Sequence, residues 1–513
     1  MNNDRPRSRR KLNEIECMTF PVSDSLTEKE IRSGLRAVIK DGLASQAMVT
    51  LTGGAFLVSF ALQLGAPNTL IGLLASIPFL VQLIQIPSVL LVEKHRIRRA
   101  ITVYASASSR LFWLLIACIP FLFSATTGLA VLIVGITLSA SFGAIAAVSW
   151  NSWMRDLVPQ ARLGSFFSKR MSLALLVAIP LNLSAGFFVD CWKAHFPEFE
   201  LYSYSILFLL GFVAGIVGVY FMSTIPEPRM ASVAGKPSLL RSILQPLEDT
   251  NFRNLVFFSG TWNLAVNLAA PFFVVYMLTR LELAMSSIIV LTVLSQVTNL
   301  AFLRIWGRFS DRFSNKSVLG TCCPLFIVCV FAWTFTTLPA RHPLTVPILL
   351  AIHAFMGISM AGVTLASGNI ALKLAPIGHA TAYLAGASLV NSLAAGTAPI
   401  VGGILVDFFA QRELSMTLKW IDPNRALALQ TLSLQHWDFF FLLSVLVGLF
   451  SLHRLAMVQE VGEIEERIVV HEIVAETRRI VRNLSTVGGL VHMVVFPFAI
   501  LRTTFKRIDD TRS

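Results

Sequence analysis

A small number of residues in this chain could do chemistry, and most of them interrupt long apolar runs. Trp262, Asn263 and Asn267 share one run, with the two amides four residues apart on one helical face. Gln46 and Thr50 form a similar pair near the start of the chain, and Gln296, Asn299 and His353 complete the polar set. Uncharged donors and acceptors in that number suit a neutral or zwitterionic solute, and an indole beside them can stack on its apolar part. The competing reading is that intramembrane amides tie helices together, at about 0.6 kcal/mol each. No Asp or Glu falls in the middle of an apolar run, which leaves His353 as the one titratable group there with a useful pKa. Proton binding and plain packing of a lone histidine both stand for it. Arg110 lies about ten residues, roughly 15 Å, into the third run. It can snorkel, bond Gln82 or Gln85, or meet an anion.

What is missing narrows the chemistry further. No nucleotide-binding loop, zinc motif or nucleophile constellation appears, so neither an ATPase nor another enzyme is expected, and no cofactor or metal site. Six cysteines are present, none in a CxxC pair, and they read as small interior residues. The net charge of +13 is not a nucleic-acid signal, because it sits in short loops and tails.

The elements that must position these residues are membrane helices. Of 513 residues, 55% are hydrophobic and only 14% charged, and mean hydropathy is +0.69. Continuous runs near the roughly 20 residues needed to span a bilayer predict twelve helices, and exclude a membrane barrel. They fall at 43–65, 69–91, 100–123, 128–150, 168–190, 203–224, 254–278, 285–306, 317–338, 345–367, 381–409 and 436–456. The fold class is therefore an all-α membrane protein. An even number of spans puts both termini on one side. That side holds 35 of the 42 Lys and Arg against 6 on the other, which predicts an inner-membrane protein with both termini cytoplasmic. No cleavable signal is visible, so the first span is expected to direct insertion. Residues 27–41 read as an amphipathic helix along the cytoplasmic surface that runs into the first span, with Thr27 and Glu30 as a capping box. The tail carries a charged amphipathic stretch at 459–484 and a short apolar run at 490–501, read as interfacial or docked.

The chain also repeats itself. At an offset of 217 or 218, Glu93-Lys94 falls on Asp311-Arg312, Asn151 on Asn369, and Gly186-Phe-Phe-Val-Asp190 on Gly403-Ile-Leu-Val-Asp407. Asn263 and Asn267 fall on Gln46 and Thr50, and Arg110 on Val328. Two six-helix bundles are therefore expected, at 43–224 and 253–456, with tails at 1–42 and 457–513 and a linker at 225–252. Parallel duplication of this kind places a cavity between the halves.

The loop after the eighth span reads Gly307-Arg-Phe-Ser-Asp311-Arg312-Phe-Ser-Asn315-Lys316. With the duplication, it resembles the signature loop of the major facilitator superfamily. The first copy keeps Glu93, Lys94 and Arg98 but lacks the glycine. The resemblance implies a latch on the cytoplasmic side that holds an outward-open state. Asp156 is the candidate partner for Lys94 or Arg98, and the second half has Lys373 at the position of that acid. Simple positive-inside charge is the alternative. The resemblance further implies that spans 1, 4, 7 and 10 line the cavity. Gly396-Thr-Ala-Pro399-Ile-Val-Gly402-Gly403 resembles an antiporter motif but reads better as close packing. The expected function is a secondary or facilitative transporter of a small organic solute, working as a monomer in the lipid bilayer, with a coupling ion, H+ or Na+, allowed for. A non-transporting sensor or assembly factor on the same fold is the alternative.

Overall fold

A computed structural model describes residues 22–23, 26–159, 163–230, 248–337, 341–376, 380–422 and 425–460. Twelve helices are long and apolar enough to cross a membrane. They are α1 (Glu28–Gln63), α2 (Asn68–His95), α3 (Arg98–Ala117), α4 (Ala125–Leu157), α5 (Ser165–His195) and α6 (Pro197–Ser223). The second six are α7 (Thr250–Thr279), α8 (Met285–Arg312), α9 (Asn315–Thr336), α10 (Thr345–Leu374), α11 (Tyr383–Phe409) and α12 (Trp437–Ala456). Each matches one expected span. Several run past it on the face where α1 begins and α12 ends, here called the basic face. Hydropathy marks only the apolar part of a helix, while the backbone hydrogen bonds continue beyond it.

Local chemistry explains the breaks. In α1 the helix stops at Thr52 and restarts at Gly54, whose φ of +57° favours a residue without Cβ. In α2, Pro78 and Pro87 lack N–H donors, and the turn between them, Val81–Ile84, tightens to 3-10 geometry. The Thr27–Glu30 capping box is present: Thr27 N donates to Glu30 Oε2 at 2.8 Å and Glu30 N to Thr27 Oγ1 at 3.3 Å.

Three features refine the sequence reading. The amphipathic segment 27–41 runs without a break into α1, as expected, but one face packs inward, with Ala37 and Val38 on Trp153, Leu157 and Met222. The stretch between α11 and α12 is a hairpin of antiparallel strands, Glu413–Asp422 and Arg425–Gln435, on the face opposite the termini. Finally, a two-residue parallel ladder joins Val22–Ser23 to Glu227–Pro228, just after α6. The tail stretches beyond residue 460 and most of the linker lie outside the described residues.

Within the first half, α1 packs on α6 and α5, and α3 on α4 and α6; in the second, α8 packs on α10, α9 on α10, and α7 on α11 and α12. The halves meet through α2 against α11 and α5 against α8. Glycines allow the first of these approaches: a Cβ on Gly72 would lie 2.0 Å from Pro399 O, and one on Gly403 2.4 Å from Asn68 O. A Cβ on Gly396 would sit 2.5 Å from Leu80 Cδ2, so the glycine-proline motif of α11 packs helices, as its spacing suggested.

Candidate functional site

On the face opposite the termini, two carboxylates hold the halves together. Asp407, at the end of α11, accepts from Asn68 N and Nδ2 at 3.3 and 2.8 Å and from Thr69 N and Oγ1 at 2.9 and 2.6 Å. Asp190, at the end of α5, accepts from Met285 N at 2.9 Å and Ser286 N at 2.7 Å. Each acid thus meets the unpaired N–H groups that open a helix of the other half, where the helix dipole favours negative charge. The two sites are related by the offset of 217. The repeat aligned the acids, but backbone donors carry no side-chain signature, so their partners were not legible.

On the basic face each half has its own charged knot. Arg98, fully buried at the start of α3, pairs with Asp156 and donates to Ser152 O at 2.9 Å and Pro228 O at 2.6 Å. Glu227 accepts from Arg98 N at 2.7 Å and Arg99 N at 3.0 Å, capping α3. Burial pushes the Glu227 carboxyl above the usual glutamate range despite the Arg99 and Arg98 donors. Arg98 is therefore the partner of Asp156. Glu93 and Lys94 are exposed, with no hydrogen bond or ion pair to a described residue.

The second half is not without an acid, as the exchange to Lys373 implied. Glu460, beyond α12, accepts from Lys316 N at 2.8 Å, Asn315 Nδ2 at 2.9 Å and Lys373 Nζ at 2.9 Å. Burial raises its carboxyl, but these donors outweigh burial and hold it below the usual glutamate range. Asp311 is exposed and makes no hydrogen bond or ion pair to a described residue, Arg312 lies over the Phe313 ring at 5.1 Å, and a Cβ on Gly307 would meet Leu365 Cδ1 at 3.8 Å.

Between the halves, on the basic-face side of the carboxylate closure, lies a cavity of about 780 Å³ walled by α5, α7, α8, α9 and α10. Gln296, Asn299 and His353 line it, with Phe167, Met171 and Met360 among its apolar walls. His353 sits in T-shaped contact with Trp333, ring centroids 5.6 Å apart, and its Nδ1 is 2.9 Å from Leu349 O. The other candidates lie off this wall. Trp262 is buried between Phe258 and Phe326. Asn263 and Asn267 donate to Ser259 O and Asn263 O of their own helix at 2.8 and 2.9 Å. Gln46 and Thr50 face each other at 3.5 Å. Arg110 is bonded to neither Gln82 nor Gln85; it donates to Ser45 Oγ at 3.1 Å and Ser106 O at 3.0 Å. Among the described residues no group of three or more His, Cys, Asp or Glu could hold a metal ion.

Known proteins share this fold. The sequence profile of the Major Facilitator Superfamily matches residues 255–503. No curated protein sequence matches the chain significantly. Solved structures match its fold at low identity. The nucleoside transporter NupG has a TM-score of 0.60 at 12% identity, over 84% of this chain and 99% of that one. A bacterial homologue of the iron transporter ferroportin in an inward-facing state reaches 0.58 at 12%, over 84% and 99%. A bacterial homologue of the human lysosomal transporter Spinster, inward-facing and unoccupied, reaches 0.54 at 14%, over 75% and 84%. The profile covers the second half, the first half repeats the second, and the whole folds as these transporters do. Residues 255–503 thus carry the Major Facilitator Superfamily profile, and the chain as a whole has the fold of these multi-pass membrane transporters.

Proposed function

We propose that the chain carries a small organic solute by alternating access, and that the arrangement described is its inward-open state. The observation that carries this is the symmetric pair Asp190 and Asp407, which joins the halves on one face only, with the cavity on the other side of the joint. Rocking of one half on the other would break both carboxylate caps together and open the cavity to the opposite face. On this reading Asp311 and Glu93 make no bond to a described residue because they belong to the outward-open latch. The excess of Lys and Arg supports a cytoplasmic basic face and an inner-membrane location. The bundles are taken as 43–224 and 253–456, acting as a monomer. Gln296, Asn299 and His353 are the proposed solute contacts, His353 being also the candidate for H+ coupling. No observation favours a non-transporting sensor.

Orientation and mechanism are tested together. A cysteine at Ser232 should be protected from an impermeant reagent in intact cells and one at Gln411 labelled. A cysteine at Gln296 should be labelled from the cytoplasmic side. Labelling of Gln296 from outside in the resting protein would overturn the inward-open assignment.

A further inference from the structure

The halves differ most at a place outside the cavity wall just described. Where the second half has Phe258, Trp262 and Ala387, the first half holds Asp41, Ser45 and Arg170, each 217 residues earlier, and Arg110 falls on the apolar Val328. The apolar version shows that the fold does not need charge there. The first apolar run begins at residue 43, so hydropathy alone places Asp41 outside the first span. It is instead 2% exposed inside α1.

The group is built and incompletely paired. Asp41 Oδ1 accepts from Ser45 Oγ at 3.1 Å, and its Oδ2 is 3.8 Å from Arg170 Nη2, a loose ion pair. Arg110 is 9% exposed, its two hydrogen bonds go to neutral acceptors, and its Nε is buried without a partner. Glycines make the room: a Cβ on Gly42 would lie 2.4 Å from Arg170 Nε, one on Gly215 3.0 Å from Arg110 Cγ, and one on Gly218 3.2 Å from Asp41 Oδ1. Two guanidinium groups face one carboxylate, leaving one positive charge over among largely buried groups, a charge that an anion entering the adjoining cavity would balance. These residues line a cavity of about 300 Å³ with Asn151 and Trp150. The Trp150 ring lies under Arg170 at 5.1 Å and against Phe167 at 5.8 Å, and Phe167 lines the larger cavity.

We propose that Arg110 and Arg170 form the anion-recognising end of the solute site. It takes the carboxylate of a small organic monoanion whose apolar body passes Trp150 and Phe167 into the larger, methionine-rich cavity. This rests on that cavity being the solute path. It replaces the neutral or zwitterionic solute that the amides alone suggested. Guanidinium suits the task because its planar donors match a carboxylate in two parallel bonds.

The test uses the full-length protein in a neutral detergent, titrated with benzoate while melting temperature and tryptophan fluorescence are followed. Benzyl alcohol and benzylamine are the neutral and cationic counterparts. Benzoate alone should saturate and raise the melting temperature. Arg110→Lys keeps the charge but loses the fork, and should weaken half-saturation by about tenfold. Asp41→Asn removes the competing carboxylate and should strengthen it severalfold. A purely structural ion cluster makes the opposite demand: Asp41→Asn would lower the melting temperature and leave benzoate affinity unchanged, and that result overturns the proposal. So do equal shifts with all three probes. Binding at equilibrium needs no transport, so proteoliposomes that moved no solute would overturn the transport reading while leaving this result in place.

Discussion

The two halves of this transporter agree closely at one face and diverge steadily toward the other. At the face opposite the termini, Asp190 and Asp407 do the same work at symmetry-related places, each capping a helix of the other half. At the basic face the function is kept but the residues change. An acid after the last helix caps the third in both halves, yet the base is Arg98 on α3 in the first and Lys373 on α10 in the second. In the interior the halves part company, with a charged group in one and aromatic packing in the other. The difference teaches what each region is under constraint to do. Closing a gate between two rocking bodies requires matched contacts, anchoring a helix start requires only some acid, and recognising an asymmetric solute requires the halves to differ.

The largest expected effect lies in the comparison of the two knots. Arg98→Met would strand Glu227, 1% exposed, and should cost about 3–5 kcal/mol, seen as lost yield and a lower melting temperature. Lys373→Met acts on a side chain 50% exposed, and should cost no more than about 1 kcal/mol by the same measurement. Equal losses would mean that the knots are equivalent after all.

Next in size is the symmetric gate. Asp407→Asn weakens charge-assisted bonds from four donors, about 1.5–3 kcal/mol or roughly ten- to hundredfold toward the outward-open state. Asp190→Asn, with two donors, should shift it less. Cytoplasmic labelling of a cysteine at Gln296 reports both, and an unchanged rate in both variants would remove the gate.

The acids of the knots should also respond oppositely to pH. Glu460 is held below the usual glutamate range, so its contribution is full above that range and is lost as pH falls through its lowered pKa. Glu227 is raised, so its contribution is present in acid and lost as pH climbs through its raised pKa. Melting curves between pH 4 and 7 should therefore lose part of their acid-side fall in Glu460→Gln, and part of their rising-pH loss in Glu227→Gln.

The smallest effect separates wall from glue. Asn263→Ala removes a bond within one helix and should cost about 0.6 kcal/mol with solute affinity intact. Gln296→Ala, on the cavity wall, should raise the half-saturation concentration with little change in melting temperature. The reverse pattern would return the site to α7.

Much of this molecule was determined by the sequence alone. Twelve apolar runs specify twelve helices because the bilayer leaves the backbone no other open-ended solution. A constant offset carrying Asp190 onto Asp407 specifies a duplicated bundle, and Thr27 with Glu30 specifies where α1 begins. The tertiary structure decided what depends on neighbours distant in sequence. Asp41, Arg110 and Arg170 belong to three helices, and only packing across three glycines brings them together. Glu460 finds Lys373 from 87 residues away. Asp407 finds Thr69 from 338 away, through a backbone N–H that every residue but proline possesses. Periodicity reports which face of a helix is apolar, but the partner of a buried charge is set by which helices touch, and the chain does not write that locally.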